Sequence, residues 1–144
     1  MVIKKSTYHN YLSFASVLLI LIPLGLISGP FLPDLFIVLI SFIFLFIFNK
    51  NNEILSLKSN YFRLFLYFYI YLVFISVLSD NFYETIKPSL TYIRFGFFSL
   101  AVVFILKNKK DFIKHFYLMI CFTFIILIFD GYFQFITGKN ILGF

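Results

Sequence analysis

Five long apolar runs constrain the fold of this 144-residue chain more than any other feature of its sequence. Each is close to the ~20 residues that a helix needs to cross ~30 Å of hydrocarbon. The runs cover residues 11–28, 32–48, 61–79, 89–106 and 116–136. They are continuously apolar rather than alternating, which favours helices over the strands of a membrane barrel. We therefore predict an all-α membrane protein, a bundle of five transmembrane helices in a single region covering residues 1–144.

The composition agrees with a membrane location. Hydrophobic residues make up 62% of the chain and charged residues only 12%, against roughly half and a quarter in soluble domains. A small domain buries only about 70% of its surface on folding, so one core cannot hide this excess. Membrane lipids are therefore the first expected partner.

The first run has an alternative interpretation as a cleaved signal peptide, because Lys4 and Lys5 precede it. Its apolar core is longer than the 7–15 residues of a typical signal region, and no A-x-A-like cleavage site follows. An uncleaved first span is the favoured interpretation. The outer connections, residues 29–34 and 80–89, are expected to be short turns that contain proline.

The distribution of Lys and Arg predicts the orientation. Of the twelve such residues, nine flank the runs on one side, only Lys87 and Lys139 lie on the other, and Arg94 falls within a run. By the positive-inside rule the N-terminus is cytoplasmic and the C-terminus is periplasmic, in a bacterial inner membrane. This topology also accounts for the net charge of +6. We expect no nucleic-acid partner, because no Arg-rich stripe with interleaved aromatic residues occurs.

Two charged residues, Arg94 and Asp130, stand well inside the runs, where a charge costs about 2.5–3.5 kcal/mol at the centre of a span. Both are expected in the outer leaflet, about 7 and 10 Å deep, on consecutive antiparallel helices. We therefore predict that they form an ion pair. Gln134 lies four residues after Asp130, on the same helix face, and completes a predicted polar cluster. Gly131 is expected to let a neighbouring helix approach closely.

This polar cluster has two open interpretations. It is either a clamp that fixes helix packing, or the floor of an outward-facing cavity in which Arg94 receives a phosphate-bearing headgroup. His9, His115 and Cys121 have no acid, base or second ligand at a useful spacing. No catalytic residue, metal site or cofactor is predicted.

Three short sequence motifs follow one another along the chain. Gly29, Pro30, Phe31 and Asp34 form a G-P-F-x-x-D turn after the first run, and Arg94 stands in the fourth run, "SLTYIRFGFFSLAVVFIL". Asp130, Gln134, Gly138, Asn140 and Gly143 fit the pattern D-x-x-x-Q-x-x-x-G-x-(D/N)-x-x-G. With these segments the chain resembles the N-terminal part of the O-antigen ligase and O-antigen polymerase-like membrane proteins.

The resemblance implies transfer of a glycan from an undecaprenyl-diphosphate carrier at the outer face of the inner membrane. It also implies a larger protein, because members have about ten or more spans and a large periplasmic loop with essential Arg and His residues. The 144 residues are then an N-terminal fragment, inactive alone, in which Arg94 and Asp130 support the lipid-diphosphate site. The alternative is a non-enzymatic membrane module, such as an accessory subunit or a partial transporter.

Overall fold

The computed structural model of the chain describes residues 5–51 and 60–139. This part of the chain is helical and contains no strand, which confirms the prediction of an all-α protein. Its helical segments are α1 (Lys5–Ile27), α2 (Phe31–Asn51), α3 (Asn60–Val77), α4 (Phe82–Thr91), α5 (Ile93–Asn108) and α6 (Phe112–Thr137). Each of the five predicted apolar runs coincides with one of these helices, except that the fourth run is shared between α4 and α5.

Three helical stretches within the described residues are long and apolar enough to cross a membrane. They are His9–Ile27, Phe82–Asn108, in which α4 and α5 continue through Tyr92, and Phe112–Thr137. Two further apolar stretches, Phe31–Ile47 and Phe62–Val77, are shorter. Helices as long and apolar as these three are typical of membrane spans, so they suggest a membrane protein.

The expected turn at residues 80–89 is wrong, because most of it belongs to α4. The carbonyl oxygen of Asn81 accepts hydrogen bonds from the backbone N–H groups of Glu84 and Thr85, both at 3.1 Å, and so begins the helix. Pro88 lies inside α4, where it lacks the N–H for the helical hydrogen bond. The α4 helix ends soon after, and the α5 helix begins beyond Tyr92.

The turn between α1 and α2 is shorter than expected, because α2 already begins at Phe31. Gly29 has a φ of 109°, a conformation that glycine adopts without steric cost. Pro33 lies in the first turn of α2, where its missing N–H would have no intrahelical partner in any case. The two helices therefore form a tight antiparallel hairpin.

The core lies between α1, α2 and α5, and the first turn of α6 closes one end of it. Its buried apolar side chains are Leu12, Ala15, Leu18, Leu19, Ile40, Phe44, Leu100, Ala101, Ile105 and Phe112. The α6 helix packs mainly against α1, while α3 packs against α4 and α5. Large apolar side chains stay exposed along most of α3 and α6, as expected of helices that face lipid.

The α3 helix packs against α5 at Gly96 through the ring of Phe65. A Cβ atom built on Gly96 would lie 2.2 Å from Cε1 of Phe65, far inside van der Waals contact. The Phe65 ring stacks between the rings of Phe62 and Tyr69, with centroids 6.3 Å away in each case. Because Gly96 has no side chain, the Phe65 ring of α3 can pack directly against the backbone of α5.

Candidate functional site

The candidate site lies where the first turns of α2 and α5 meet. Asp34 is in the first turn of α2, where the positive end of the helix dipole favours a carboxylate. Arg94 is the second residue of α5. The α2 helix packs along α5, so the two charged side chains face each other at the same end of the bundle.

Arg94 and Asp34 form a bidentate ion pair. The Nη2 atom of Arg94 lies 2.7 Å from Oδ1 of Asp34, and the Nη1 atom donates a hydrogen bond of 2.9 Å to Oδ2. Both terminal nitrogens of the guanidinium are therefore directed at both carboxylate oxygens, the geometry that gives arginine its strongest pairs. The Arg94 and Asp34 side chains are 32% and 45% exposed, so the other helices cover the pair only in part.

Two further contacts fix the orientation of Arg94. Its guanidinium carbon lies 5.1 Å from the ring centroid of Phe95, within the range of a cation–π interaction. The Nε atom is buried and has no hydrogen-bond partner among the described residues. A buried group without a hydrogen-bond partner costs about 1–3 kcal/mol. The contacts of the guanidinium with Asp34 and Phe95 must therefore offset this cost for Arg94 to keep its position.

Ser41 forms a second link between α2 and α5. Its Oγ atom lies 2.7 Å from the carbonyl oxygen of Ile37 and 3.1 Å from that of Arg94. The Ser41 side chain is buried, and the contact with the Arg94 backbone lies about two turns below the ion pair on α2. The α2–α5 interface therefore has two polar contacts, one at its end and one inside it.

Arg94 forms its ion pair with Asp34, whereas the sequence predicted Asp130 as its partner. The prediction assumed that consecutive helices are neighbours. In the structure α5 packs mainly against α2, while α6 packs mainly against α1. The N-terminal ends of α2 and α5 are thus adjacent, although 60 residues separate Asp34 from Arg94.

The remaining residues of the predicted polar cluster lie on α6. Asp130 is half-buried, and Gln134 is exposed one turn later. A Cβ atom built on Gly131 meets no heavy atom of the described residues within 4 Å. The expected close helix approach at Gly131 is therefore wrong. Asn140 and Gly143, which complete the C-terminal pattern, lie outside the described residues.

A second polar contact ties α5 to α1 at the opposite end of the bundle. The Nζ atom of Lys109, just beyond α5, donates a hydrogen bond of 2.8 Å to Oγ of Ser13. Arg94 and Lys109 thus anchor the two ends of α5 to two different helices. In this arrangement α2 runs parallel to α5 and α1 runs antiparallel to it, as alternating spans would.

Sequence reasoning missed Asp34 as a partner for Arg94, although it noted both residues in separate motifs. Asp34 lies just inside the outer end of the second run, at a depth close to that of Arg94. That matching depth was the available signal. Among the described residues, no group of three or more His, Cys, Asp or Glu side chains is placed to hold a metal ion.

Comparisons with known proteins add no further constraint. No family model matches the chain, and neither the curated proteins nor the solved structures include a match.

Proposed function

We propose that this chain forms a transmembrane portion of a protein that transfers glycans from an undecaprenyl-diphosphate carrier at the outer face of a bacterial inner membrane, as O-antigen ligases and polymerases do. One observation carries the proposal. The Asp34–Arg94 ion pair joins two segments that resemble those proteins, the G-P-F-x-x-D turn and the Arg-bearing fourth run. The two segments were recognised separately, and a direct contact between them supports a common role.

In this function the ion pair positions other groups rather than reacting. Asp34 neutralises most of the charge of Arg94 and occupies both of its terminal nitrogens. Little of the guanidinium is then free to bind a diphosphate as a bare cation. In the proposed topology it lies near the outer edge of the membrane, where it helps to shape the surface that a lipid-linked glycan would approach.

A deletion in the host bacterium tests this function. Removing the gene should shorten or abolish the ladder of surface glycans that is seen on a gel, and the wild-type gene should restore it. R94Q should restore it poorly and R94K in part, since a single ammonium cannot form the bidentate pair. K87Q changes the same charge on α4 and serves as the control. Immunoblots of membrane fractions must show equal amounts of each variant.

An unchanged ladder after deletion would contradict the glycan-transfer function. It would favour the alternative, a non-enzymatic membrane module such as an accessory subunit or a partial transporter. The bidentate geometry supports that alternative, because a carboxylate and a guanidinium that satisfy each other form an effective clamp between helices. In that case the loss of either residue would change the amount of folded protein without changing any glycan.

The proposed topology has five spans, with the N-terminus in the cytoplasm and the C-terminus in the periplasm. The 21 residues of α2 and the 18 of α3 correspond to roughly 32 and 27 Å at 1.5 Å per residue, close to the hydrocarbon thickness. The contacts of Asp34 with Arg94 and of Ser13 with Lys109 at opposite ends of the bundle support alternating spans. The excess of Lys and Arg supports the orientation.

Reporter fusions at four positions test this topology. Alkaline phosphatase, which is active only in the periplasm, should be active when fused after Glu84 or Phe144 and inactive after Lys58 or Lys110. A green fluorescent reporter, which folds in the cytoplasm, should give the opposite pattern. Activity of the phosphatase after Lys110 would overturn the orientation. Cytoplasmic fluorescence after Glu84 would show that the third run does not cross the membrane.

A further inference from the structure

A pocket of about 440 Å³ lies between α1 and the turn that joins α5 to α6. Its rim carries Lys109, Lys110, Asp111 and His115, and its inner wall includes Ile20 and the buried Phe112. The pocket is distant from the Asp34–Arg94 pair, at the opposite end of α5. None of the functions proposed above uses it.

The rim of this pocket has a positive charge. Lys109 and Lys110 outweigh the carboxylate of Asp111, and Lys107 and Lys114 flank the same turn. Lys109 is half-buried, and its hydrogen bond to Ser13 holds the ammonium in one place. A fixed, partly desolvated ammonium beside an exposed one is well suited to bind a phosphate oxygen.

His115 adds a further polar group to the rim. Its Nδ1 atom lies 2.8 Å from the carbonyl oxygen of Asp111. A carbonyl oxygen can only accept, so this hydrogen bond requires the proton on Nδ1. The Nε2 atom then accepts a hydrogen bond when the ring is neutral and donates one when the ring is protonated. The protonated ring can donate to a phosphate oxygen, and the neutral ring can accept from a hydroxyl group of a glycerol headgroup.

The pocket changes from charged to apolar along the direction of the helices. Ser13, which contacts Lys109, and Ile20 are seven residues apart on α1, or about 10 Å. A free phosphate ion would use the rim alone, whereas an amphiphile would fill both parts. Basic pockets between transmembrane helices on the cytoplasmic side are known to take anionic headgroups.

We propose that this pocket binds an anionic phospholipid, with the phosphodiester at Lys109 and Lys110 and the start of an acyl chain against Ile20 and Phe112. The proposal goes beyond glycan transfer and does not depend on it. Only the assignment of the lipid to the cytoplasmic leaflet rests on the proposed topology. A bound lipid there would join α1, α5 and α6 at the one end of the bundle where α6 meets the core.

Binding to the purified full chain in a neutral detergent tests the proposal, with native mass spectrometry to count bound lipid. Phosphatidylglycerol should stay bound under conditions that remove phosphatidylcholine. Each lysine removed should weaken phosphatidylglycerol binding about fivefold, so K109Q/K110Q should show the largest loss. K87Q makes the same change of charge on α4, at the other end of the bundle, and should leave binding unchanged.

Two further measurements separate the site from its alternatives. K110Q alters an exposed side chain, so its effect on binding remains interpretable if K109Q weakens the fold by losing the Ser13 contact. Competition with inorganic phosphate distinguishes the two sources of the anion. Displacement of phosphatidylglycerol by millimolar phosphate, equal retention of both lipids, or equal losses in K87Q and K110Q would each overturn the proposal.

Discussion

Replacing Asp34 alone should destabilise the folded protein more than replacing Asp34 and Arg94 together. D34N leaves the guanidinium at the membrane edge without its counter-charge, while D34N/R94Q removes both charges. Loss of one partner from a buried pair costs about 3–5 kcal/mol. Because these side chains are 32% and 45% exposed, we expect about 2 kcal/mol for D34N and less than about 1 kcal/mol for the double variant.

A double-mutant cycle measures this coupling. The free energy of unfolding would be obtained by titration with sodium dodecyl sulfate in mixed micelles, with helicity as the signal. R94Q and D130N form the control cycle, with the same chemistry on α5 and α6, and should couple less strongly than R94Q and D34N. Additive losses for Asp34 and Arg94 would show that their contact contributes nothing to stability.

Gly96→Ala should have the second large effect, because the added methyl group collides with the Phe65 ring. The new Cβ would lie 2.2, 2.8 and 2.9 Å from three ring carbons. The ring cannot simply turn aside, since it is stacked between Phe62 and Tyr69. Overpacking of this kind costs about 1–3 kcal/mol, and we expect α3 to separate from α5.

Gly131→Ala is the matched control, since nothing in the described residues lies within 4 Å of its added Cβ. It should be neutral or stabilise α6 by up to ~1 kcal/mol, the difference in helix propensity. Phe65→Leu replaces the ring by a smaller aliphatic side chain and, combined with G96A, should recover some of the stability lost in G96A. Thermal unfolding in detergent, followed by circular dichroism, compares all four proteins. Equal melting temperatures for G96A and G131A would contradict the close approach at Gly96.

The helices could be predicted from the sequence because a single physical rule governs them. Continuous apolar runs of about 17–21 residues must satisfy their backbone internally, and helices do so. The α4 helix could not be found in this way, since its ten residues include Glu84, Lys87 and Pro88. Its start depends on hydrogen bonds to the Asn81 carbonyl, which leave no mark on the pattern of apolar residues.

The partner of Arg94 could not be predicted from sequence order, because order does not determine which helices touch. Depth arguments place Asp34, Arg94 and Asp130 near the same face, so either carboxylate could pair with Arg94. The choice is made by α2 packing on α5, which in turn follows from the fit of Ile40, Ser41 and Phe44 to Leu100 and Ala101. Such shape complementarity depends on all the contacting side chains together.

The separation of Asp34 from Arg94 along the chain has a consequence for biosynthesis. The ribosome adds ~5–20 residues per second, so the 60 residues between them take about 3–12 s to emerge. In the proposed topology, α1 and α2 enter the bilayer during that interval, before the counter-ion of Asp34 has been synthesised. The position of Asp34 in the first turn of α2 makes the delay tolerable, because lipid headgroups and water can solvate a carboxylate there. When α5 inserts, Arg94 pairs with Asp34 and joins α5 to the α1–α2 hairpin that was inserted several seconds earlier.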